Sequence, residues 1–502
     1  MDSLTYAERE QIDGRAIFAA TAFAAGVGVI AALERVGAPD GLVEGLGPLF
    51  AFAAVSVIGF SNRAANLTDF LAARRAIPSF YAGLAFAAVL GGVALALISG
   101  AESPAHVQWL PVAAGAAFAG IVMAPAIRAG NVSSAIDVLA TRFPARPARA
   151  AFAIALFACG ALAAWAGFAL AAQSLVPAVD SHAPAASWFA VCALAFTLIP
   201  GGMKSALWAD AASAGGTLLI VLFGAALAVA LAPAPLAPLG ETVRGLAAEA
   251  AATGANPVLA IASAVAVAFY FPLMSAGVAT PSWRDARRAG FSGLSLAALG
   301  LAAAAIALPL LAAAPANAVH TGQALVSAAA WLPSLALARA GALAASRATG
   351  VDLARAYSRL TVLSSQRIAI GRLTMLAAIL LCPLALARLA LSPEHALVLS
   401  LAISLAFLSP SLVLALALPA RARSASALVT LAATVATLAL QGRLNPVGFL
   451  GAGLLEQALL AGLVGLAAGA FAALVLPTRG GKRHLPHADP FVDMPFDAVD
   501  AA

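Results

Sequence analysis

Arg339 stands inside an apolar run, between Ser334 and Ser346. A guanidinium so placed can hold a carboxylate through two parallel hydrogen bonds. Charge at the centre of a membrane helix costs about 2.5 kcal/mol or more, so Arg339 must face a cavity, freed carbonyls or an acid. Two readings follow: an anchor for an anionic solute, or a structural pair with an acid such as Glu456, in the last apolar run. A second place is Phe269-Tyr270-Phe271-Pro272, where the proline frees a carbonyl and the aromatic rings line a pocket or merely pack in a kinked helix. A third is Gly91-Gly92, which either lets a helix unwind around a cation or brings two helices into close contact. Trp165 and Gln173 share one further apolar run and serve either a solute or helix packing. No nucleophile beside a base, phosphate loop or zinc-protease motif accompanies them, so enzymatic chemistry and ATP-driven transport are not indicated.

The elements that must position these residues are set by composition. The 502 residues are 63% apolar and only 10% charged, against roughly 25% charged in soluble domains. A water-facing surface cannot be clothed with so little charge; a lipid-facing one can. Apolar runs of about 20 residues predict some fourteen transmembrane helices. They fall near 16–33, 42–60, 79–99, 109–127, 150–174, 186–200, 212–233, 257–277, 291–314, 323–346, 368–387, 396–418, 425–440 and 446–476. The expected fold class is all-α and polytopic.

Orientation follows from the loops. Of 28 Lys and Arg, 23 fall on the side holding both termini, and only Arg35, Arg244, Arg388 and Arg443 on the other. That bias predicts cytoplasmic termini, and explains the net charge of +6 as topology and not as nucleic-acid binding. Cys159, Cys192 and Cys382 form no paired motif, and no histidine lies within a run, so neither a metal site nor haem is expected and no cofactor is assigned. The first run follows an acidic segment, as a retained helix does and a signal peptide does not. Heavy Ala and Arg usage with two lysines suits a GC-rich genome, and the expected location is a bacterial cytoplasmic (inner) membrane. Residues 477–502 form a polar tail expected to be disordered.

Five short elements then resemble those of the sodium:solute symporters. They are Asp69-Phe70-Leu71-Ala72-Ala73-Arg74-Arg75-Ala76-Ile77-Pro78, the stretch Ser133 to Phe143, Gly201-Gly202-Met203 through Trp208 to Asp210, Ser282 to Arg288, and Asp352-Leu353. Their order and spacing agree over about 42–418, and the acetate/glycolate-permease-like branch is nearest in character. The resemblance implies a 5+5 inverted-repeat core at 61–418, with repeats at about 79–233 and 257–418. Helices within 1–60 and 419–476 are then peripheral. It also implies that the first helix of each repeat is broken, at Gly91-Gly92 and at Pro272, with solute and ion between them.

The implied activity is symport of a small organic solute, a monocarboxylate by analogy, coupled to Na+ or H+. Arg339, Tyr270, Phe269, Ser334, Gln173 and Trp165 would hold the solute, and Ala88, Gly91 and Ser346 the ion. Two departures stand out. Where the family places paired hydroxyl residues as sodium ligands, this chain has Ala336-Leu337, and shifting the frame gives only Ala345-Ser346. Around Pro272 it keeps Pro and Thr280 but lacks the branch's His and Arg. These losses motivate a second reading, a non-transporting symporter-fold module that serves as a sensory input or a partner subunit, with a small membrane partner subunit as its expected partner.

Overall fold

The structure, a computed structural model, describes residues 6–64, 66–99, 109–129, 138–139, 142–143, 145–175, 183–231, 244, 256–312, 319–354, 364–388, 391–418, 424–444 and 453–475. The symporter-like element from Ser133 to Asp137 and the tail 477–502 lie outside them. Every described element is helical. Twelve helices are long and apolar enough to cross a membrane, and Ala185–Leu198 is a shorter apolar helix.

In chain order the elements are α1 (Tyr6–Arg35), α2 (Asp40–Ser61), α3 (Leu67–Ala72) and α4 (Ser79–Ile98). Next come α5 (Trp109–Phe118), running through a π turn (Ala119–Met123) into α6 (Ala124–Ala129), then α7 (Arg146–Leu175), α8 (Ala183–Leu198) and α9 (Met203–Leu231). The second half holds α10 (Pro257–Ala268), α11 (Phe271–Val278), α12 (Trp283–Ala312) and α13 (Val319–Arg347), the last extended by a π turn (Ala348–Leu353). Then follow α14 (Ser364–Arg388), α15 (Pro393–Ile403) with a π turn (Ser404–Leu408) into α16 (Ser409–Ala417), α17 (Ser424–Leu444) and α18 (Leu454–Val475). Each of the fourteen expected spans contains a helix.

The centre of the bundle is α13. Its membrane window is 94% buried, against 22% for α12, so α13 is a protein-facing post and α12 a lipid-facing wall. It packs on α7, α4, α9 and α2, closest along α7, where Gly160, Gly167 and Gly341 bring the two backbones together. Small residues supply this proximity because lipid offers apolar side chains nothing to escape from.

Helix contacts come in reciprocal pairs. The first helix of the N-terminal five, α4, packs on the second of the later five, α12; correspondingly α5 packs on α10. Fifth and third helices exchange in the same way, α9 with α13 and α15 with α7, while the two third helices meet each other. A two-fold axis between five-helix units produces this pattern.

The two expected breaks differ. The eighth span is broken at Phe269-Tyr270, which leave helical geometry (Tyr270 φ −77°, ψ 105°) between α10 and α11. The third span is not: α4 runs unbroken from Ser79 to Ile98, a correction to the expectation at Gly91-Gly92. The glycines serve close packing instead. A Cβ on Gly92 would collide with the Pro333 carbonyl and lie 2.7 Å from the Leu337 Cβ, whereas one on Gly91 would stand 3.3 Å from the Pro333 ring. Helix α9 also corrects the sequence reading. It begins at Met203 and not near 212, so Asp210 lies about two turns inside a helix.

Gly92→Ala should cost about 1–3 kcal/mol by overpacking the α4–α13 contact. Gly91→Ala should change stability by less than about 1 kcal/mol. Unfolding of both variants in mixed micelles checks the difference.

Candidate functional site

The start of α9 is fixed by local geometry. Gly202 takes φ +55°, and any Cβ there would strike the Phe70 ring and carbonyl, so the Gly201-Gly202 pair lets α3 press against the head of α9. From that start Met203, Ala206, Leu207, Asp210, Ser213 and Ala214 fall on one buried face. The face meets α13 at Arg339, which is fully buried. Arg339 Nε donates to Asp210 Oδ1 at 2.6 Å and Nη2 to Ser213 Oγ at 2.7 Å. The Ser213 hydroxyl donates in turn to the Ala209 carbonyl at 2.9 Å, which leaves its lone pair for the guanidinium. Arg339 Nη1 has no partner among the described residues.

The acid that answers Arg339 is therefore Asp210. Glu456 lies in the first turn of α18 and accepts from Asn256 Nδ2 at 3.0 Å. The periodicity of α9 could have revealed Asp210, because it shares a stripe with Ala206, Leu207 and Ala214. Lys204, Trp208 and Asp210 instead depress the hydropathy and make the segment read as a loop.

A second polar cluster lies where the two-fold relation sends the first, between α7 and α15. Ser400 donates to the Cys159 carbonyl at 2.8 Å and stands 3.3 Å from its Sγ. With that proton committed, the Tyr270 hydroxyl donates to Ser400 Oγ at 3.2 Å. One turn on, Ser404 donates to the Phe269 carbonyl at 2.8 Å, satisfying an acceptor beside the helix break. The π turn at Ser404–Leu408 is of the kind that often marks functional sites. Ser400 and Ser404, four apart on one helix, thus clamp the α10–α11 junction; the sequence reading missed both.

The remaining solute candidates do not converge on one space. Ser334 donates to its own helix at Ala330, Trp165 is buried with an indole N–H that finds no partner among the described residues, and Gln173 is exposed. Nor do the ion candidates meet. Ala88 is buried and Gly91 faces Pro333, whereas Ser346 donates to the Gly371 carbonyl at 3.0 Å. Nine residues separate Ser346 from Leu337, the level of Gly92, which is about 13 Å along α13.

A small cavity of about 40 Å³ lies beside α11 and the last turns of α13. Its wall is mostly apolar, including Phe271, Met274, Leu343 and Ala344, with Ser275, Ser346 and Arg347 as its polar residues. Arg339 is not part of that wall. Phe70 closes one side, held by a turn in which Ala73, Arg74 and Arg75 all adopt positive φ and Arg74 Nε pairs with the buried Asp69 carboxylate at 2.6 Å. Arg128 donates to the Thr280 and Pro281 carbonyls just beyond α11, at 2.7 and 2.5 Å.

A post-and-wall bundle in which, among the described residues, α10–α11 is broken, with contacts paired by a two-fold axis and a cavity beside the break, defines a class: an inverted-repeat bundle of membrane helices. Among solved structures, it is similar to a substrate-bound, outward-open Na+-coupled sialic acid symporter. The match has a TM-score of 0.64 at 17% identity and covers 86% of this chain and 97% of that one. No known family profile and no curated protein matches the sequence.

Removing one partner of the buried pair should be costly. Arg339→Met or Asp210→Leu alone should lose about 3–5 kcal/mol, while the two combined should recover most of that. Equilibrium unfolding of the four-member cycle in mixed micelles reads the coupling.

Proposed function

We propose that the protein is a secondary transporter that moves a small organic solute by alternating access between two five-helix repeats. The observation that carries this reading is the cavity beside the broken α10–α11 helix, in an architecture shared with a solved symporter. Solute sites in such folds lie where a discontinuous helix exposes backbone groups between the repeats. The wall, mostly apolar with two hydroxyls and a guanidinium, suits a solute with an apolar body and one anionic or polar end. A monocarboxylate fits that description. Tyr270 and Phe269 contribute by shaping the break, and the solute carboxylate is assigned to the Ser275, Ser346 and Arg347 side of the cavity. Arg339, expected from sequence as its anchor, already has a carboxylate from the protein. The gradient that drives movement is Na+, H+ or a counter-solute.

The unbroken α4 favours one other reading, a symporter-fold module that does not transport and serves as a sensory input or a partner subunit. Purified protein in liposomes distinguishes them. Uptake of radiolabelled short-chain monocarboxylates, assayed separately under inward Na+ and H+ gradients and in counter-exchange, is expected in at least one condition. No uptake in any of them rejects the carboxylate assignment. Ser275→Ala, which removes a hydroxyl from the side of the cavity assigned to the carboxylate, should lower uptake by about tenfold while the melting temperature stays near that of the parent.

A further inference from the structure

A cation held between the repeats requires oxygen ligands that converge at one depth, and the described residues do not provide them where a broken third span would. Helix α4 is continuous, so its carbonyls are committed to its own ladder. Gly92 is pressed onto Pro333, and the facing positions Ala336 and Leu337 carry no oxygen on their side chains. Ser346 is bonded to Gly371 well away along α13.

A positive charge is nevertheless present inside the bundle. The Asp210 carboxylate is buried two turns into α9, where an ionised oxygen is stable only beside a cation. Arg339 supplies that cation on a covalent arm, planar enough to meet Asp210 and Ser213 together. The bridge joins the fifth helix of one repeat to the third of the other, an interface whose two-fold counterpart, Ser400 on Cys159, carries no formal charge. An exchangeable ion would tie such helices only while bound.

We propose that Arg339 is a tethered cation. Its guanidinium holds α9 to α13 permanently, in the place of an exchangeable coupling ion, so the protein binds no Na+ of its own. Removal of the guanidinium turns Asp210 Oδ1 and Ser213 Oγ, both within 2.7 Å of guanidinium nitrogens, into ligands for a monovalent metal cation. The consequence for transport, that solute movement needs no Na+, rests on the reading given under Proposed function; the ion-binding claim does not.

The experiment measures melting temperature and sodium-22 binding of the purified full chain, in NaCl and in N-methylglucamine chloride of equal ionic strength. Wild-type protein is expected to melt at the same temperature in both salts and to bind no stoichiometric sodium-22. Arg339→Ala should be less stable in N-methylglucamine and regain about 2 °C or more in saturating NaCl. The Arg339→Ala, Asp210→Asn double variant should lose that response. Stoichiometric sodium binding by the wild type overturns the proposal, and so does a folded Arg339→Ala that ignores Na+. Should Arg339→Ala fail to fold, the wild-type sodium-22 measurement decides alone. Absence of carboxylate uptake under every gradient would count against the transport reading and leave these ion measurements untouched, so the two failures are separable.

Discussion

The constraint on which most of this structure depends is the burial of a full positive charge in a bundle with almost no charge to spare. Arg339 is inaccessible, and desolvating a guanidinium is tolerable only when an acid and further acceptors surround it. Asp210 and Ser213 meet that demand only if α9 is helical from Met203 onward and lies directly against α13. Both conditions trace to the head of α9, where the left-handed Gly202 lets Phe70 approach. The distance between the two repeats at this depth is therefore set by an electrostatic contact, whereas the α7–α13 seam is set by missing side-chain volume. Charge and smallness act on different faces of the same post.

The two halves carry one architecture and unlike chemistry. Between α7 and α15 the contacts are hydroxyl to carbonyl, hydroxyl to hydroxyl and hydroxyl to thiol, with Tyr270 reaching across from the break. Between α9 and α13 they centre on an ion pair. The broken helix lies on the neutral side, where Ser404 replaces the hydrogen bond that the backbone has given up. Its counterpart α4 needs no such help, because its ladder is intact. Discontinuity and neutral polar clamps go together here, as do continuity and charge.

Much of the fold was legible from sequence because lipid imposes a strict rule: each crossing must be a run of apolar residues long enough to span. Arg339 and the Phe269–Pro272 segment stood out because each violates that rule at a price the rest of the chain must meet. The resemblance pointed correctly to the general architecture. What hydropathy could not reveal was Asp210, since the polar opening turns of α9 resemble a loop until their buried stripe is noticed. Nor could it distinguish a glycine pair that unwinds from one that packs; the difference lies in Pro333 and Leu337, over 240 residues further along. Ser400 and Ser404 were hidden for another reason. Serine is too common in membrane helices to signal a role before its acceptors are known.

The unequal chemistry of the two equivalent interfaces bears on mechanics. A shape assembled from matched halves would by default swing equally about either junction. Here one junction is riveted by opposite charges that cannot separate cheaply in a medium of low polarity, and the other is fastened by neutral hydrogen bonds, which cost less to part than a buried ion pair. Any rocking motion would thus turn about the α9–α13 edge, leaving α15 and the α10–α11 elbow to travel.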